Sequence, residues 1–376
     1  MKAIFVHFYD LSPHSGISKK ILYQISALKE CGMSVELSYM QIDENGFHKR
    51  VCGDTIIENY GNGTRSKFLK WFKFESLTNY IIDNEIMFVY IRSFYNVNPP
   101  LLKMLRRLKE KGIKVVMEFP TYPYDSETKS GPLKYRFIFL LNRIFRNKLK
   151  GLIDRAVTFT DYEYIHGVKT IPISNGIDFK EIPLRSCNRE ITDTLNMIGV
   201  AEIHYWHGFD RVIKGLGEYY KNPHDIKVYF NIVGDGFDQD INFLHKLVSQ
   251  LNLEDYVHFY GSKHGKELDA LFEQSDFGIA SLARHRTNIT KIKTLKTREY
   301  AARGIPFIYS EIDDDFENMP YILKASADNT PIDIEKIAGF VKLLKLSPAD
   351  IRDTIVNKLS WKVQMQKVID EIFKKE

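Results

Sequence analysis

A short β-rich run, a turn and a stretch of helical period recur in that order along the chain, which is the pattern of parallel sheets with crossover helices. In the first half, strands are expected at 3–6, 34–39, 87–91 and 113–119, with helices at 18–31 and 100–111. After IPISNGID (171–178) a second and clearer series gives strands at 194–199, 227–233, 257–260, 277–280 and 306–310. Helices at 209–220, 240–251, 266–274 and 295–303 alternate with them. The expectation is an α/β fold of two Rossmann-like domains, 1–178 and 179–358, facing each other across an interdomain cleft. Ligands of such sheets gather at the carboxyl ends of the strands. The remainder, 359–376, carries a helical apolar stripe through Trp361, Met365, Val368 and Ile372 that needs a docking surface, and it is expected to cross back to the N-terminal domain.

The 376 residues are 44% hydrophobic and 27% charged, enough apolar material for two cores. Cys31, Cys52 and Cys187 lie far apart, which points away from a disulfide framework or a zinc site and fits a reducing cytoplasm. The opening MKAIFVHFYD reads as a buried strand instead of a secretory signal. No run approaches the roughly 18 apolar residues that would span a bilayer. A formal charge of +5 with interleaved signs does not describe a nucleic-acid-binding domain.

Helix 295–303 has both ends written in the sequence, with Thr294 as its cap and Gly304 and Pro306 as its stop. Lys296 falls in the first turn, where a cation opposes the helix dipole, but where free amides and an ammonium together suit a diphosphate. A solvated surface lysine is the plain alternative. Glu299 lies three residues on, on the same face, able to accept from ribose hydroxyls or to pair with Lys296.

The run LKTREYAARGIPFIYS (295–310) resembles the donor-site helix of retaining GT-B glycosyltransferases, especially family four. There a Lys-x-x-Glu or Glu-x7-Glu motif precedes a small-residue helix, Gly-x-Pro and a buried strand. The resemblance implies Lys296 on the donor phosphates and Glu299 on the ribose. The position eight before Glu299 is Lys291, a departure at the residue that touches the donor sugar. IVGDG (232–236) looks like the loop beside the nucleotide, with Gly234, Asp235 and Gly236 allowing close approach to a ligand. FYGSKHGKELDALFEQSDFGIAS (259–281) resembles the segment with the base-binding loop around Gly261, and NGID (175–178), with Asn175, the interdomain junction.

WHGFDR (206–211) occupies the place of the family's phosphate-binding Lys-Gly pair, putting His207 and Gly208 there. An imidazole can donate to phosphate, or cap and pack a helix. The family's companion arginine would fall near Ala201, and Arg286 or Arg211 could replace it or be a surface charge. In the N-terminal half, SPHSGISKK (12–20) resembles the family's glycine loop, with Gly16 near the sugar or pyrophosphate. Arg92 and Glu118 end strands, and Tyr122 lies in EFPTYPYDSE (118–127), where many relatives carry a histidine and this chain has none.

The resemblance implies hexosyl transfer with retention from a nucleotide diphosphate-sugar, with UDP or GDP as the nucleotide and with no cofactor or metal. Lys296, His207 and Glu118 would be the catalytic candidates, and Arg92, Tyr122 and Asn175 would line the acceptor side. Asp238-Gln239-Asp240 opens a predicted helix, where carboxylates serve as caps and dipole partners; a magnesium site is the lesser reading. The basic amphipathic stretches 66–75 and 132–150 suit either an anionic membrane surface or a buried apolar face. The expected setting is bacterial capsule, O-antigen or exopolysaccharide assembly on a lipid-linked acceptor, cytoplasmic and peripheral at the inner face of the plasma membrane. A non-catalytic nucleotide-sugar-binding relative or scaffold stays open on Lys291 and His207. A sugar-nucleotide epimerase is weaker, lacking an evident acid-base pair, and a nicotinamide dehydrogenase weaker still, without Gly-x-Gly-x-x-Gly after the first strand.

Overall fold

A computed structural model of the chain describes residues 1–11, 16–124, 133–186 and 191–374. The chain divides into two compact units, Met1–Ser174 with Trp361–Glu376, and Asn175–Ser360.

The first unit runs β1 (Lys2–Val6), α1 (Gly16–Glu30), β2 (Ser34–Ile42), β3 (His48–Cys52), β4 (Thr55–Gly61), α2 (Gly63–Leu69) and α3 (Glu75–Asp83). It continues with β5 (Phe88–Arg92), α4 (Pro99–Glu110), β6 (Lys114–Phe119), α5 (Leu133–Phe145), β7 (Arg155–Thr158), β8 (Tyr164–Ile165) and β9 (Val168–Pro172). Its described strands form one sheet in the order β4-β3-β2-β1-β5-β6-β7-β9-β8. The centre is parallel because strands such as FVYIR are buried along their whole length, as a sheet covered on both faces requires. The hairpin of β3 and β4 extends one edge antiparallel and is absent from the sequence expectation. Its alternation is masked by a buried cation: Arg50 is 1% exposed and donates to the His7 carbonyl at 3.4 Å, Ser38 Oγ at 3.3 Å and Tyr60 Oη at 3.4 Å.

The second unit runs β10 (Thr194–Val200), α6 (Phe209–Tyr219), β11 (Lys227–Val233), α7 (Asp238–Gln250), β12 (Val257–Phe259), α8 (Lys266–Glu273) and β13 (Phe277–Ile279). Then come α9 (Leu295–Arg303), β14 (Phe307–Tyr309), β15 (Ile322–Lys324), α10 (Ile334–Leu343) and α11 (Pro348–Leu359). The described strands are all parallel in the order β12-β11-β10-β13-β14-β15, the doubly wound Rossmann arrangement. The order reverses between β10 and β13, so the topological switch point lies there, at the carboxyl ends of those two strands.

The C-terminal stripe does not begin at Leu359. Ser360 is extended, at φ −67° and ψ 144°, so α11 ends at Leu359 and α12 begins at Trp361 (Trp361–Phe373). The stripe buries Trp361, Met365 and Val368 against α1 and the sheet, and Phe373 meets Phe88 edge-on at 5.7 Å. Among the described residues no helix is long and apolar enough to cross a membrane.

Candidate functional site

The switch point of the second unit collects side chains from three successive connections. After β10 a single helical turn, Tyr205–His207, ends in Gly208 at φ +71°, and a Cβ there would crowd Leu282 and Ala283. That close approach brings the loops after β10 and β13 together, with the Leu282 amide donating to the His207 carbonyl at 3.0 Å. Helix α9, which precedes β14, is fixed at its start by Thr294, whose side chain accepts from the Thr297 amide, and at its end by left-handed Gly304.

Lys296, in the first turn of α9, reaches back to the β10 loop, placing its Nζ 3.0 Å from His207 Nδ1. While Lys296 is protonated it can only donate, so Nδ1 then accepts this bond from a neutral imidazole. Burial and the Lys296 charge hold His207 far below the usual histidine range. Burial also lowers Lys296, to about 7, with repulsion from Arg284 adding to it. Ser281 Oγ lies 3.5 Å from the same imidazole nitrogen.

Helix α9 is pinned from beneath by a residue that the motif reading passed over. Arg298 is fully buried and ion-paired with Asp313 and Asp315 in the loop after β14. Its second guanidinium nitrogen bonds Asp313 Oδ1 at 2.9 Å, a two-point contact that fixes orientation as well as distance. Arg298 therefore fixes the turn that carries Lys296. Only the Lys-x-x-Glu frame around it hinted at this, since one buried arginine looks like any other helix charge in sequence.

Several expected contacts fall elsewhere. Glu299 does not pair with Lys296; it accepts from Arg303, one turn on, at 3.0 Å, and Arg303 also reaches Asp269 at 2.7 Å. Arg286 is engaged by Asp210 at 2.9 Å through both terminal nitrogens and by Asn329 at 2.8 Å. Arg211 is buried and donates to the backbone carbonyls of Leu282, Ser326 and Thr330, tying loops together. The arginine at the Lys296 cluster is Arg284, from the same Arg-His-Arg run as Arg286. Lys291 points into an ion pair with Asp314 at 2.5 Å.

The glycines of the Gly-Asp-Gly loop are required by the packing of the loop itself. A Cβ on Gly234 or Gly236 would overlap the carbonyl oxygens of Ala201 and Ile203 respectively. That crossing is closed by hydrogen bonds from the Ala201 amide to Val233 at 3.0 Å and from the Ile203 amide to Asp235 at 2.7 Å. Gly261, by contrast, has open space around it and accepts from the Gly234 amide at 2.8 Å. Asn175 Nδ2 donates to the Lys293 carbonyl at 2.6 Å. Asp238 and Asp240 stand in the first turn of α7, as anticipated for dipole partners.

The first unit carries its own buried ionic cluster, built from α1, β5 and β6. Glu118, fully buried in β6, accepts from Gln24 Nε2 at 2.7 Å and Tyr90 Oη at 2.6 Å, and pairs with Arg92 and, at 3.5 Å, with Lys20. Burial alone would raise its carboxyl; the two cations and two hydrogen bonds instead hold it down at about 2. Such a carboxylate is saturated and makes a poor proton acceptor. Tyr122 packs edge-on against Tyr162 at 4.9 Å and His166 at 5.6 Å. Gly16 opens α1 with open space around it. Residues 12–15 of the glycine loop, 125–127 of the Pro-Tyr run, 132 and Cys187 lie outside the described residues.

No protein-family model and no curated protein matches the sequence. Solved structures do match over the whole chain. Sucrose-phosphate synthase from Thermosynechococcus elongatus superimposes with a TM-score of 0.69 at 13% identity, covering 99% of both chains. A glycosyltransferase from Rickettsia africae gives 0.66 at 15% identity over 100% of this chain and 99% of its own. HepE of Anabaena, in complex with UDP, gives 0.55 at 14% identity over 99% and 96%. At these identities the likeness is one of fold, and the fold is that of the GT-B glycosyltransferases.

Proposed function

We propose that, on this GT-B fold, the chain is a glycosyltransferase whose second unit binds a nucleotide diphosphate-sugar at the β10–β13 switch point. The observation that carries it is the contact of Lys296 with His207 beside Arg284, two cations and a neutral imidazole gathered at a helix N-terminus. The carboxylate of Glu311 lies near both cations but balances only one charge, so a ligand with negative charge would complete the set. HepE, which shares the fold, holds UDP, and a further structure of it holds UDP-glucose.

In this reading the free amides of α9, Lys296 and Arg284 take the two phosphates, and His207 orients Lys296. These groups stabilise the charge that grows on the leaving diphosphate, and loss of one typically adds about 3 kcal/mol to the barrier. Transfer proceeds with retention, the acceptor hydroxyl approaching the face from which the diphosphate departs, with UDP or GDP as carrier and no metal. Glu299, on the same helix, takes the ribose once Arg303 shares it. In the first unit, Glu118 orients Arg92 toward the acceptor side.

The acceptor is a lipid-linked glycan, in assembly of a bacterial surface polysaccharide. Helix α5 supports this: it buries Ile138 and Asn142 and exposes Phe137, Leu140 and Ile144, at 54%, 54% and 58%, along one stripe. Arg136, Arg143 and Lys148 flank that stripe and are exposed, as suits an anionic lipid surface. A non-catalytic nucleotide-sugar-binding role is the second reading, favoured by the histidine at the phosphate position and by Lys291 in its ion pair with Asp314.

A thermal-shift and calorimetric screen against UDP, GDP, ADP, CMP and their sugar conjugates, with and without magnesium, tests the proposal. A selective, magnesium-independent shift that disappears in Lys296→Ala supports the donor site, and transfer or donor hydrolysis by the wild type separates the enzyme from the non-catalytic reading. No shift with any nucleotide removes both.

A further inference from the structure

Glu311 follows β14 by two positions and is 4% exposed. Its Oε2 accepts from the Ser310 amide at 3.2 Å, whereas Oε1 has no hydrogen-bond partner and stands 4.0 Å from Arg284 Nε, beyond hydrogen-bond reach. Ser310 Oγ, beside it, is buried and equally unpartnered. Both belong to the Lys296 cluster: the Ser310 amide bonds the Ser281 carbonyl at 3.1 Å, Ser281 approaches His207, and Glu311 interacts electrostatically with Lys296 and Arg284. Burial accordingly pushes the Glu311 carboxyl above its ordinary range.

A buried carboxylate oxygen without a donor is costly, and native folds leave few of them. Phosphate cannot fill this one, because a phosphate dianion only accepts. Two kinds of chemistry therefore stand side by side: positive charge at Lys296 and Arg284 that attracts an anion, and an acceptor, Glu311 Oε1, without a donor. One ligand satisfies both if it joins phosphates to a polyhydroxyl ring. Lys291 is engaged by Asp314 at 2.5 Å and offers no carboxylate for such a hydroxyl.

We infer that Glu311, with Ser310 beside it, accepts and shares hydrogen bonds with the sugar hydroxyls of the donor, making it a specificity-determining residue of this site. The inference rests on the donor-site proposal above. An ordered water would also satisfy Oε1, and the following measurement separates the two.

Isothermal titration of wild type, Glu311→Ala, Glu311→Gln and Lys291→Ala is run with the matched probes UDP and UDP-glucose, and GDP and GDP-mannose, after melting curves establish that each variant is folded. For the pair that binds, Glu311→Ala should weaken the nucleotide sugar about tenfold or more relative to whatever change it makes in the nucleoside diphosphate Kd, the loss of a hydrogen bond to a charged group. The volume-conserving Glu311→Gln should show a smaller change of the same kind, and Lys291→Ala none. Equal weakening of diphosphate and sugar conjugate, or no change in either, overturns the assignment of Glu311 while leaving the donor site standing. Absence of any nucleotide binding by folded wild type overturns the donor site itself, and Glu311 with it.

Discussion

Lys296 Nζ lies 3.0 Å from His207 Nδ1, although 89 residues separate them. The contact joins the first turn of α9 to the loop after β10 and makes the imidazole an acceptor, so the histidine at the family's phosphate position does not act as a cation. In the proposed donor site its part would be to hold the lysine, and Lys296→Ala and His207→Ala should therefore differ, the first removing charge and the second removing only its orientation.

Lys296 at about 7 gives a pH signature. Diphosphate binding needs the ammonium, so affinity is full below that pKa and declines as pH rises through it, approaching tenfold per unit until the bound form also deprotonates. Lys296→Arg keeps its charge throughout and should flatten the profile, whatever its absolute affinity. Calorimetric Kd values for UDP or GDP between about pH 6 and 9 check this; a wild-type profile that is flat above neutrality contradicts it.

Glu118 anchors Lys20 and Arg92 in the first unit. Glu118→Gln leaves two buried cations without their counter-ion and should cost about 3 kcal/mol or more in urea unfolding. Because its folded pKa, about 2, is below the ordinary carboxylate value of 4.5, its contribution is complete above the latter and fades as pH falls toward the former. The variant should accordingly lose part of the acid dependence of stability that wild type displays. Unfolding curves within about 1 kcal/mol of wild type would mean that the network is not stabilising.

Gly234→Ala should act on folding before binding. The glycine has φ +129° and an added Cβ would overlap the Ala201 carbonyl, so the variant is expected to lose about 1–3 kcal/mol of stability. A Gly234→Ala protein with wild-type melting behaviour but no nucleotide affinity would return this glycine to the ligand site.

Replacing Phe137, Leu140 and Ile144 together by serine removes the exposed stripe of α5 while sparing the buried Ile138 and Asn142. Cosedimentation with phosphatidylserine-containing vesicles should fall strongly, with melting temperature retained. Equal sedimentation of both proteins, or insensitivity of the wild type to the anionic lipid fraction, counts against membrane docking through this helix.

Fold class, the two series of parallel strands and helix α9 with both its caps were legible in the chain, because buried strands, amphipathic helices and capping residues leave periodic or local marks. Bounds such as Lys227–Val233 and Leu295–Arg303 needed no adjustment. The β3–β4 hairpin was not legible, since Arg50 breaks the apolar alternation and is tolerated because β4, β2 and the end of β1 supply acceptors. Charge partnerships were likewise decided by the tertiary structure. The sequence named Lys296, His207, Glu299 and Arg286, but only the fold directed Glu299 to Arg303, Arg286 to Asp210 and Lys296 to His207. Glu311 left no mark at all, because what distinguishes it, a buried oxygen beside cations and without a donor, is a property of neighbours brought together from β10, β13 and α9. Local sequence determines which segments can bury a face or cap a helix; which charges meet is set by long-range packing, on which local periodicity carries no information.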